Sequence, residues 1–129
     1  MAIMGSVPPI LKLIRSPQSG SKGMTGNWVV VYTETCPLAY IFGGAEIDLS
    51  PMQAGDVIQI RVRKQILVSG ALTPHHEVTY TGAQPATHTS VHISAIPDVH
   101  GVEVAMLQSA GVLRNIDCEF FDAKRLGLA

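Results

Sequence analysis

The chain reads as an all-β sandwich or barrel of about seven or eight strands, and three observations carry that reading. In residues 55–64, Ile58, Ile60 and Val62 alternate with Gln59, Arg61 and Arg63. A period of two marks a half-buried strand, because successive side chains of a strand point to opposite faces. Turn-forming residues then recur roughly every ten positions, the spacing expected of a sandwich or barrel. Finally, no segment holds a helical period of useful length: residues 108–113 suit one turn at most, and no repeat of fixed period is present.

Taken in order, residues 1–26 differ from the rest and are expected to form an extended N-terminal arm and linker, ahead of a β-sandwich domain at residues 27–129. Val7-Pro8-Pro9 favours extended backbone, since proline fixes its own φ and restricts the residue before it. Residues 10–15 suit one short strand, and residues 16–23 are turn and linker chemistry. Residues 28–33 are β-branched and aromatic, hence a strand. Pro37 interrupts, residues 38–42 resume, and Gly43-Gly44 read as a turn. Ala45, Ile47 and Leu49 then alternate with Glu46 and Asp48 before a turn from Ser50-Pro51 to Gly55-Asp56. The strong strand that follows runs on through Ile66, Leu67 and Val68 to a reversal at Ser69-Gly70.

Val78 and Tyr80 oppose Glu77 and Thr79 in the next strand, and residues 82–85 turn the chain. Residues 87–96 read as one strand, with Thr89, Val91 and Ile93 against His88, Ser90 and His92. After a turn at residues 97–101, Val102, Val104 and Met106 form an apolar face, broken at Ser109-Ala110-Gly111. The last strand sets Ile116, Cys118 and Phe120 against Asp117, Glu119 and Phe121.

Composition narrows the function. A chain of 129 residues with 47% hydrophobic residues can bury a substantial single core. Only 15% of residues are charged, against about 25% in typical domains. A small domain normally covers its large surface with charge, so this deficit points to surface hidden in a partner, as in a homo-oligomer or larger assembly. The net charge of −1 is spread without a basic patch, which argues against nucleic acid. No apolar run reaches the length of a membrane-spanning helix, and the apolar start lacks the basic region and cleavage site of a secretory signal. Cys36 and Cys118 are too few for a disulfide scaffold and read as small buried hydrophobes.

No catalytic constellation emerges. The five histidines are the residues most suited to metal or acid–base chemistry. On one strand His88 and His92 would share a face yet sit about 13 Å apart, too far for one metal. His75 and His76 are neighbours and should point apart, although a site joining either to His92 across two strands is geometrically open. The cupin metal enzymes carry a His-x-His pair after a glycine with a glutamate following; this chain has His75-His76-Glu77 instead. There is no Gly-x-Ser-x-Gly elbow and no phosphate-cradling glycine loop before a helix. A sugar would need exposed aromatics to stack on; most of the few present, among them Trp28, fall in strands where burial is the default, and Tyr40 and Phe42 beside the glycine pair are the candidates for exposure. The expectation is therefore a non-enzyme with no cofactor and no metal; the alternative is a small ligand-binding β-sandwich, for carbohydrate or metal, using the histidine-bearing strands.

Residues 47–58, with Asp48-Leu49-Ser50 and Gly55-Asp56, resemble turn patterns of small structural proteins of viruses. So do residues 78–84 and Gln108-Ser109-Ala110-Gly111 leading into a closing aromatic strand. The resemblance extends over residues 28–123 by general layout. It implies a jelly-roll-like, capsid-associated protein of the cement or decoration type, without an active site, lying on the capsid surface of a virion assembled in the host cytoplasm. Its implied partners are itself, as a dimer or trimer, and the major capsid protein, with neither nucleic acid nor membrane. Strand addition to a neighbour's sheet edge is the implied mode of contact, and Val7, Pro8, Pro9, Ile10, Leu11, Leu13 and Ile14 are the candidate contact residues.

Overall fold

A computed structural model describes residues 11–34, 40–67, 69–98 and 100–125. They form ten antiparallel strand segments: β1 (Leu11–Arg15), β2 (Gly20–Gly23), β3 (Val29–Glu34), β4 (Tyr40–Asp48), β5 (Val57–Gln65), β6 (Leu72–Thr81), β7 (Ser90–Ile93), β8 (Ile96–Asp98), β9 (Val102–Ala110) and β10 (Asn115–Arg125). No helix occurs among the described residues.

The ten segments fill eight strand positions in two sheets. β1 and β2 lie end to end on β10, β10 pairs with β4, and β7 and β8 lie end to end on the far side of β4. The second sheet has the order β3-β9-β5-β6. The hairpin from β5 to β6 stays within its sheet, whereas the connections β2–β3, β3–β4, β4–β5, β6–β7, β8–β9 and β9–β10 all pass between sheets. Four strands per sheet joined by such crossings is the jelly-roll arrangement of two wrapped Greek keys. The sandwich expected from alternation is therefore present, and the jelly-roll order gives it its topology.

The alternation of β5 is realised directly: Ile58, Ile60 and Val62 are buried while Gln59, Arg61 and Arg63 lie partly open. Both sheets meet over an aromatic cluster. The Tyr32 ring lies 4.8 Å from that of Phe42 and 5.0 Å from that of Phe120, and all three are fully buried. Tyr32 can enter the core because its hydroxyl donates to Asp122 Oδ1 at 2.7 Å, which removes the cost of burying a bare hydroxyl.

Several local expectations are corrected. Gly20–Gly23, read as turn and linker, is a strand on β10. Between β1 and β2 the chain steps off the sheet, and serines fill the gap: Ser16 N donates to Phe120 O at 2.8 Å, and Ser19 Oγ accepts from Phe120 N at 2.8 Å. Gly43-Gly44 is not a turn but lies inside β4. Gly44 has φ +96°, and a Cβ there would come within 2.5 Å of Ile93 O, so the strand needs a glycine for close backbone approach. The segment read as one strand at residues 87–96 breaks opposite that glycine into β7 and β8. The run through Ile66 and Leu67 ends at Gln65, leaving a loop, and Val68 lies outside the described residues.

One end of the sandwich is tied by a polar hub built from the turn motifs at residues 53–56 and 108–114. Asp56 is buried; its carboxylate accepts from Gln53 N at 2.9 Å, from Val112 N at 3.2 Å and from Arg114 Nε at 2.7 Å. The guanidinium of Arg114, seconded by the Gln53 amide, holds the Asp56 carboxyl below the usual carboxylate range. The Gln108 side chain closes the same loop, donating to Val112 O at 2.7 Å and accepting from Arg114 N at 3.0 Å. Gly111 completes the hub: at φ +87° its missing Cβ would lie 2.0 Å from Asp56 Oδ1.

Candidate interface surfaces

A sandwich has two seams where its sheets end, and here they differ. At the seam between the β1–β2 edge and β3, the side chain of Gln18 acts as a short strand. Its Nε2 donates to Thr33 O at 2.8 Å, and its Oε1 accepts from Thr33 N at 2.9 Å. The opposite seam, between β6 and the β7–β8 edge, is open. β6 is a ten-residue edge strand, whereas the facing edge is split into β7 and β8 by a break at Ser94 and Ala95. Val78 and Tyr80 on the inner face of β6 are only half-buried. A cleft of about 240 Å³ results, floored by Val62, Val78, Tyr80, Val91, Ile93 and Ile96.

Histidines rim this cleft. The register of β5 on β6 shifts between Val62–His76 and Arg63–Pro74, which leaves His75 as an extra, bulged residue. A bulge re-aims side chains, and both His75 and His76 line the cleft with His92 from β7. The regular alternation expected of neighbouring histidines is interrupted there by the bulge. The His92 ring itself turns to Glu46 on the outer face of the first sheet, with Nδ1 2.7 Å from Oε1. His88 sits apart in the turn before β7, its Nδ1 2.9 Å from Thr87 Oγ1 and its amide donating to Pro85 O. Among the described residues, no three His, Cys, Asp or Glu side chains gather as a metal site would require.

The outer faces carry different chemistry. On the first sheet Asp117 lies opposite Asp48, and Glu119 opposite Glu46. This two-by-two block of acids is flanked by Arg15, which pairs with Glu119, and by Ser90 and His92 on Glu46. On the second sheet Arg61 lies 4.1 Å over the Trp28 ring, and Arg63 Nη2 meets Glu103 Oε1 at 2.6 Å. These side chains roof the outer side of β9, so Glu103 and Ala105 are buried as well as the expected face of Val102, Val104 and Met106.

Exposed apolar residues concentrate in two loops. Ile66 and Leu67 in the β5–β6 loop are 62% and 70% exposed, and Val112 and Leu113 in the β9–β10 loop are 67% and 57% exposed. Because Val57 pairs with Ala110 and Lys64 with Val102, the two loops lie at opposite ends of the sandwich. Reading Ile66 and Leu67 as strand concealed the first of them; the Gly70 and Gly111 breaks were the available signals. Of the contact residues expected from sequence, Leu11, Leu13 and Ile14 lie in β1, in register with Arg125, Ala123 and Asp122 of β10. Val7, Pro8, Pro9 and Ile10 lie outside the described residues, as does Cys36. Cys118 is a free thiol buried in the core, and burial pushes its pKa up to about 12, unsuited to nucleophilic chemistry.

This geometry recurs in solved structures. A crystal structure of the infectious bursal disease virus VP2 subviral particle superposes with a TM-score of 0.52 at 12% identity, covering 89% of this chain and 32% of that one. A structure of the infectious bursal disease virus Gx strain gives a TM-score of 0.51 at 10% identity, covering 95% of this chain and 35% of that one. These neighbours are viral capsid proteins. The fold is a viral-capsid-like β fold. The chain spans about a third of the length of the chains it matches. No protein-family model matches the sequence, and no curated protein matches it.

Proposed function

We propose that the chain is a non-enzymatic structural subunit of a virus particle. In this reading it buries its surface against copies of itself, as a dimer or trimer, and against major capsid subunits, in the manner of a cement or decoration protein at the capsid surface. The observation that supports it most is the fold likeness, over 89% of the chain, to a protein of a subviral particle. The surface agrees: charge is sparse and two apolar loop tips project from opposite ends. A standard interface takes about 800 Å² from each partner. Against a total surface of 7575 Å², several such contacts fit on one subunit. Sedimentation velocity across a range of concentrations tests the reading. Growth into closed oligomers, or co-sedimentation with capsid shells, supports it; a persistent monomer that ignores shells overturns it.

A second reading, a ligand-binding sandwich for metal or sugar, draws on one observation, that His75, His76 and His92 all border one cleft, although the His92 ring is turned to Glu46 on the outer face. The cleft volume of about 240 Å³ falls below the usual range for small-molecule sites. Calorimetric titration with zinc separates the two readings: a stoichiometric signal lost in His76→Ala favours the second.

A further inference from the structure

The open seam is an unfinished part of the sandwich. Its partner seam is sealed by Gln18 bridging the backbone of β3, while the broken β7–β8 edge leaves Val78 and Tyr80 of β6 half-covered above an apolar floor. β7 ends the first sheet, so its outer backbone edge is placed to accept a further strand, whose alternate side chains would then fall over Val62, Val78 and Tyr80. The first half of β6 is a poorer acceptor edge, since Pro74 lacks an N–H and His75 is bulged.

The chain itself contains a segment of matching chemistry. Residues 1–10 include Met1, Ile3, Met4, Val7 and Ile10 and hold no charged side chain. They precede β1, whose Ile14 lies in the row Asp122–Phe42–Ile96 that crosses β10 and β4 to β8; Leu11 is three residues further toward that end of the sheet. Extended, ten residues reach about 33 Å. To fill the cleft of its own sandwich the segment must turn across the sheet end immediately before Leu11, where Pro8-Pro9 favour straight, extended backbone. Reaching the cleft of a second molecule requires no such turn.

We infer that the cleft between β6 and β7–β8 is the acceptor for residues 3–10 of a second copy of this chain, added as a strand beside β7. The inference rests on the structural-subunit reading and names the contact that would join its copies. The test places a photo-crosslinking benzophenone amino acid at position 7 of the full chain and irradiates an equal mixture of ¹⁴N- and ¹⁵N-labelled protein. Mass spectrometry then maps each cross-link. Mixed-label links from position 7 to residues 76–80 or 91–96 are expected, and Val78→Asp, a change at a half-exposed site, should abolish them while leaving the circular dichroism spectrum intact. Should that variant fail to fold, the map of the parent chain decides alone. Same-label links to the cleft would mean the segment folds back on its own sandwich and would overturn the inference. Mixed-label links elsewhere would overturn it while leaving the structural-subunit reading standing, whereas a chain that stays monomeric with no mixed-label links removes both.

Discussion

At the scale of single residues, the sandwich hangs on a few side chains that join its layers. Phe120 fills the space between the sheets against Tyr32, and no neighbour can expand into the volume of a lost ring in a close-packed core. Phe120→Ala should therefore cost about 3–5 kcal/mol of unfolding free energy, read as a fall in the urea midpoint. Asp56 makes a claim about pH. Its carboxyl is held below its ordinary value, chiefly by Arg114, so the folded state binds its proton more weakly than the unfolded chain does. Its contribution is present above the ordinary carboxylate value of about 3.9 and is lost as pH falls through the lower folded value. Thermal unfolding followed from neutral to acid pH should show that loss, and Asp56→Asn should remove this part of the acid sensitivity while lowering stability at neutral pH.

At the scale of elements, the strands were legible wherever one face meets the core and the other meets water. β5 reads correctly because Ile58, Ile60 and Val62 are buried between Gln59, Arg61 and Arg63. β9 is central, and its second face is roofed by Arg61, Arg63 and Trp28, so alternation understates its burial. The breaks were less legible. Gly44 looks like a turn in sequence, and only the approach of Ile93 O explains why it bends a strand instead. Likewise the cleft was half-visible: the histidines could be seen, but the bulge at His75 depends on register with β5. Two tests belong to this scale. Gln18→Ala should unseal the β3 edge and cost about 1 kcal/mol, because Thr33 can recruit water in place of the lost bonds. Asp117 faces Asp48 across the β10–β4 pair, and like charges directly opposite are destabilising. Asp117→Asn should raise stability by about 0.2–1 kcal/mol at low salt, with the gain shrinking as salt screens the acids.

For the molecule as a whole, the jelly-roll order was beyond the reach of periodicity. Alternation marks which side of a strand is buried, but not which strand lies beside it; the crossings between sheets are set by long-range packing over the aromatic cluster. The sparse charge did point toward hidden surface, and the structure offers places for it: two apolar loop tips at opposite ends and one open seam. The central claim is that this surface serves assembly. Native mass spectrometry of the intact chain, across rising concentration, tests it most directly because oligomeric state and bound metal are read together. A closed, metal-free dimer or trimer is the expected result. A monomer at every concentration, above all one carrying a stoichiometric metal on His75, His76 and His92, would contradict it.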